Sequence, residues 1–193
     1  MSFGVTEPGF TPTGPSETRF QNDKMRVDET PVIRPDGRPG TVTIVRPGTG
    51  LGVVAIPRAT AKGVSYYGLV KQHRPASNSF TLEFPRGWAT ALTVEEAQRE
   101  LEEEVGCEVL PDPVRLGGFY PEPGLMDTAV VVYLFDTKPQ ENMLFQEEKS
   151  GAKQLWVNDG TLTSLVTSGV ITCGITLAAW AQLVASGQMS PKP

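Results

Sequence analysis

The spacing of apolar residues changes along the chain, and each change marks an element. Residues 1–19 are rich in Pro, Gly, Thr and Ser and show no period, the composition of a flexible N-terminal arm. Short β-like runs at 25–27 and 41–45 flank Arg34-Pro-Asp-Gly37, a turn sequence, so residues 20–47 read as an antiparallel β subdomain. The apolar runs 51–57 and 68–72 read as strands separated by a polar loop over 58–65. Further strands are expected at 80–84, 114–120, 129–135 and 154–157. Helical spacing appears over 94–105, around 162–168 and over 176–185, where Leu177, Trp180, Ala181 and Val184 fall at i, i+3, i+4 and i+7. Thr93 is a good N-cap for the first helix, and Glu96 three residues on would complete a capping box. Strands mixed with helices, neither strictly alternating nor segregated, predict an α+β chain with a mixed sheet clasped between helices. The expected parts are the arm (1–19), the β subdomain (20–47) and a main domain (48–193).

Composition narrows the classes. Hydrophobic residues make up 39% and charged residues 20%, enough apolar surface for a real core and too much for disorder. The net charge of −5 and the lack of a basic stripe exclude a nucleic-acid surface. Cys107, Cys173 and one histidine make no zinc pattern, and a reduced, cytoplasmic setting is expected. The first ten residues lack the basic and apolar blocks of a signal peptide. The uncharged stretch 160–191 is broken by Gly169 and Gly174, so no membrane span is expected.

The candidate chemistry lies at 96–104. On a wheel of about 100° per residue with Glu100 at zero, Glu104 falls near +40°, Glu96 near −40°, Glu103 near −60° and Arg99 near −100°. Val94, Ala97, Leu101 and Val105 fall between roughly +60° and +140°. An apolar stripe is thus bordered by a stripe of carboxylates. Like charges at i,i+4 cost about 0.2–0.5 kcal/mol per pair, so stability alone would not collect them. Clustered hard oxygens suit Mg²⁺ or Mn²⁺, with phosphate oxygens completing the shell. Glu102 points to solvent.

The run Arg99-Glu-Leu-Glu-Glu-Glu-Val-Gly-Cys107 resembles the core of the Nudix hydrolase box, Arg-Glu-apolar-x-Glu-Glu-x-Gly-apolar. The resemblance implies the Nudix fold, an α/β/α sandwich whose mixed sheet lies between helices, here with an added N-terminal antiparallel subdomain. It makes Glu100, Glu103 and Glu104 metal-facing carboxylates and Arg99 the ion pair that orients them. One departure is plain. Ala91 stands where the box carries its first glutamate and Pro85 where it carries its first glycine, and Glu96 could partly substitute.

Outside the box, Lys71-Gln-His-Arg-Pro75, Glu83-Phe-Pro-Arg-Gly87 and Gly118-Phe-Tyr-Pro-Glu-Pro-Gly-Leu-Met-Asp127 resemble segments of ADP-ribose pyrophosphatases. From that likeness the Arg86 backbone carbonyl is a metal ligand, and Arg74 and Arg86 are substrate contacts. Pro123, Gly124 and Asp127 belong to the substrate loop, although Thr128 replaces its usual final acid. His73 reads as a packed or surface imidazole. The catalytic base is expected in the loop 138–153, at Glu147 or Glu148 with Glu148 favoured, and otherwise at Glu103. A homodimer through the N-terminal strands is implied, with Arg26 or Arg34 reaching the partner's site. The implied activity is Mg²⁺- or Mn²⁺-dependent hydrolysis of ADP-ribose or a related nucleoside-diphosphate sugar to a nucleoside monophosphate and a sugar phosphate. The rival is a catalytically weakened domain that senses a nucleotide. Either way the ligand is a small nucleotide, with no nucleic acid or membrane partner.

Overall fold

The turn sequence Arg34-Pro-Asp-Gly37 closes the hairpin it predicts, with Gly37 at φ 80° and its N–H on the Arg34 carbonyl at 2.9 Å. The computed structural model describes residues 9–139, 146–147 and 153–190. Its first strands are β1 (Thr11–Pro12), β2 (Glu17–Gln21), β3 (Met25–Ile33) and β4 (Pro39–Pro47). β3 is the hub, antiparallel to each of the others. Within the span expected to be the arm, residues 11–12 and 17–18 find backbone partners on β3. By its contacts the chain divides into two units, Met1–Gly50 with Glu122–Thr128, and Leu51–Pro121 with Ala129–Pro193. Within the first, the Val45 N–H donates to the Leu125 carbonyl at 2.8 Å, which draws 122–128 to the N-terminal strands. Among its described residues only Val32 is a buried apolar side chain.

The second unit is built on β5 (Leu51–Ala61) and β6 (Val64–Arg74). The polar stretch 58–65 is not a loop. Lys62 and Gly63 both adopt positive φ, 51° and 76°, and close a two-residue hairpin turn whose twist matches the strands. β5 and β6 pair only at this end, from Arg58↔Tyr67 to Ala61↔Val64. Farther along, β7 (Ser79–Glu83) pairs the last part of β6, and β8 (Arg86–Trp88) pairs the first part of β5. Next come α1 (Val94–Glu104), β9 (Val114–Phe119), β10 (Ala129–Thr137), β11 (Gln146–Glu147), β12 (Lys153–Asn158), α2 (Asp159–Thr167) and α3 (Gly174–Ala185). β10 runs parallel to β5 and antiparallel to β9, while β12 is antiparallel to β6, so the sheet is mixed.

Both faces of this sheet are covered. Val54, Ile56, Leu69, Val132 and Leu134 pack with Leu162, Ala179 and Leu183 of α2 and α3. The alternate residues Val53, Ala55, Val70, Val131 and Phe135 pack with Ala97, Leu101 and Val105 of the acidic helix. The strands therefore read as continuous apolar runs, as strands buried on both sides do. In α3, Leu177, Trp180 and Val184 of the expected stripe pack against this core half-buried, but the fully buried residues are Thr176, Ala179 and Leu183, and Ala181 is exposed. The Thr176 hydroxyl accepts the Phe84 N–H at 3.2 Å. No helix among the described residues is long and apolar enough to cross a membrane.

Candidate active site on the acidic helix

Ala97 and Leu101, both wholly buried, lay α1 on the sheet. Helical period then carries Glu100 and Glu104, beside that stripe, toward the strands. Glu100 is 8% exposed, and its carboxylate fills the space a Cβ on Gly87 would occupy. Glycine is required there by close approach. Burial pushes the Glu100 pKa up, against the opposing pull of Arg99. Arg99 donates to Glu100 Oε1 at 2.6 Å, to the two Glu103 oxygens at 3.0 and 3.1 Å, to Glu96 Oε2 at 3.1 Å and to the Trp88 carbonyl at 3.3 Å. Its own pKa is raised, chiefly by the bonds to Glu103 and Glu96.

The capping box is not formed. Thr93 is the N-cap but its side chain makes no cap bond, and Glu96 turns instead to the Thr90 hydroxyl at 2.6 Å and to Arg99. The ion pair with Arg99 and the Thr90 hydroxyl take the carboxylate that the box would have placed on the Thr93 N–H.

Strand alternation brings backbone to the same place. The Pro85 carbonyl accepts from Ala55 N–H at 2.9 Å, and Ala89 N–H donates to the Leu51 carbonyl at 3.0 Å, so the odd positions of β8 serve its ladder with β5. Arg86 and Trp88 turn their peptide groups the other way. The Arg86 N–H donates to Glu104 Oε2 at 3.2 Å, and the N–H and C=O of one strand residue face the same side, so the Arg86 carbonyl also faces α1. Gln72 donates to Glu104 Oε1 at 2.9 Å. From β12, Gln154 donates to the Glu104 and Val105 carbonyls at 3.2 and 2.9 Å, capping the helix where Gly106 turns away at φ 67°.

A second cluster adjoins the first through Arg86. Glu83, 1% exposed, receives Arg74 Nε and Nη2 at 2.7 and 2.5 Å, Arg86 Nε at 2.7 Å and the Thr81 hydroxyl at 2.5 Å. Burial would raise its pKa, but the bonds from Arg74 and Thr81 and the two guanidinium charges outweigh that and hold it at about 2.

The donor set suits a hard divalent cation, with Glu100 and Glu104 carboxylates and the Arg86 carbonyl on one side of α1 and the Gly87 cradle allowing the close approach. With Arg99 and Gln72 holding the carboxylates, no three acidic, His or Cys groups among the described residues are drawn together as a cage. Glu103 stands off, its side chain 59% exposed against Arg99.

The remaining expected residues belong to other parts of the chain. Asp127 pairs with Arg46, and Pro123, Gly124, Arg26 and Arg34 lie with it in the N-terminal unit, Arg26 on Asp28 at 2.9 Å and Arg34 in the hairpin turn. The Glu147 backbone pairs with Lys153, while its side chain and the whole of Glu148 lie outside the described residues. His73 packs edge-on against Phe80. Gln72, Glu83 and Gln154 were given no role by the sequence. Gln72 and Glu83 sit inside motifs already singled out, and the alternation of β6, which puts Gln72 and Arg74 on the Val70 face, is the signal that could have found Gln72.

No protein-family model matches the chain, and no curated protein does. Solved structures do, and they show the fold, which is the Nudix α/β/α sandwich. The chain is similar to the crystal structure of an ADP compounds hydrolase, with a TM-score of 0.74 and 17% identity over 96% of this chain and 98% of that one.

Proposed function

We propose that this chain is a divalent-metal-dependent Nudix hydrolase that cleaves the pyrophosphate bond of ADP-ribose or a related nucleoside-diphosphate sugar. The observation that carries the reading is the convergence of Glu100, Glu104 and the Arg86 backbone at the Gly87 cradle. The similar hydrolase of ADP compounds supports the nucleotide class. Mg²⁺ or Mn²⁺ is to be held by Glu100, Glu104 and the Arg86 carbonyl, with Glu103 turning in from its exposed place on Arg99, and such an ion draws charge off phosphates and activates water. Arg99 orients Glu100, and Gln72 does the same for Glu104. Arg74 and Arg86 meet the substrate phosphates. The base that takes the proton from attacking water is Glu148 or Glu147, with Glu103 as the remaining candidate.

The test is release of nucleoside monophosphate from a panel of nucleotide sugars and dinucleotides with Mg²⁺ or Mn²⁺. Glu104→Gln keeps the shape and removes the charge, so turnover is expected to fall about 100-fold or more, a loss of about 3 kcal/mol of transition-state stabilisation, with the fold intact. Binding of a nucleotide sugar without cleavage under any of these conditions would instead establish the sensor.

A further inference from the structure

The Glu83 cluster joins two cations on one acid. A single carboxylate faces two guanidinium groups, with Glu104 of the acidic helix close enough to act on Arg74. A lone arginine would have satisfied Glu83 bidentately, as Arg74 already does. Arg86 commits only its Nε, and among the described residues its two Nη groups have no partner. The side chains of Arg74 and Arg86 remain 34% and 22% exposed, while the carboxylate that joins them is sealed from solvent. Guanidinium groups are otherwise free to swing, and ordering a long side chain on binding costs free energy. Here the ordering is done before any ligand arrives. Because Arg86 also carries the peptide N–H on Glu104, the same residue ties this pair to the acidic helix.

We propose that Glu83 is a positioning residue that fixes Arg74 and Arg86 as a preorganised two-guanidinium clamp for the diphosphate of the substrate. This rests on the hydrolase reading for the identity of the ligand, and adds to it the residue that sets the geometry of the clamp. Glu83 touches no reacting atom; it acts through the two arginines. Neutralising it should free both side chains, making the local field more positive while lowering anion affinity. A simple field effect predicts the opposite sign, since removing a negative charge would tighten anion binding.

The experiment is calorimetric titration of the full chain with inorganic pyrophosphate in EDTA, alongside KM and kcat for ADP-ribose with Mg²⁺. For Glu83→Gln the clamp predicts at least tenfold weaker pyrophosphate binding and a KM that rises more than kcat falls. In a double-mutant cycle with Arg86→Met the two losses should be strongly non-additive. If Glu83→Gln does not fold, Thr81→Val, which removes one donor and keeps the charge, should weaken pyrophosphate in the same direction, by a few-fold. Unchanged or tighter pyrophosphate binding, or additive losses, overturns the clamp. Wild-type protein that binds pyrophosphate through these arginines but cleaves no nucleotide sugar would overturn the hydrolase reading and leave the clamp standing.

Discussion

Glu83 stays ionised down to about pH 2 although it is almost wholly out of water, and that has a thermodynamic consequence separate from any ligand. In the unfolded chain its pKa returns to 4.5. Between about 4.5 and about 2 the unfolded state holds the proton and the folded state does not, so stability falls as pH falls through that window. Above it the contribution is complete, on the order of 3 kcal/mol. Urea unfolding of wild type and Glu83→Gln at pH 7, 4.5, 3.5 and 2.5 should show a shallower acid decline in the variant. Parallel declines would mean that the carboxylate is not held as its contacts indicate.

At the scale of elements, the site depends on how closely β8 approaches α1, and Gly87 sets that distance. Gly87→Ala would put a methyl group where the Glu100 carboxylate now lies. Its expected outcome is at least a tenfold loss in Mn²⁺ affinity, followed by electron paramagnetic resonance, with the helical circular dichroism kept; undiminished Mn²⁺ binding would remove Glu100 from the ligand set. The helix itself was legible because its 3.6 period placed Ala97, Leu101 and Val105 on one stripe, and these are buried. The β5–β6 hairpin was not, because the polar residues 58–65 mimic a loop until Arg58 is seen answered by Asp136 at 2.7 Å across the sheet. The bond between Arg74 and Glu83 was equally hidden, since it depends on the β6–β7 register and not on any spacing along one element. The capping box failed for a local reason, as Arg99 and Thr90 bid for Glu96 first.

Across the whole molecule the chain leaves the second unit at Pro121, adds Glu122–Thr128 to the first, and returns at Ala129. What returns is β10, which lies parallel to β5 from Leu51↔Ala129 to Ala59↔Thr137. The candidate site is by contrast local, with Arg86 and Glu104 only 18 positions apart. The parallel pairing has a cost in time. Arg58 and Asp136 are 78 positions apart, which at ribosomal speed is roughly 4–16 s of synthesis. During that interval β5 has one edge without its partner, a state prone to association with other chains. Nascent chains stalled with β10 still inside the ribosome should therefore be cut rapidly by protease within 51–61, and chains stalled well past Thr137 should resist. Resistance at the earlier stall would mean that the hairpin and the acidic helix hold together without β10.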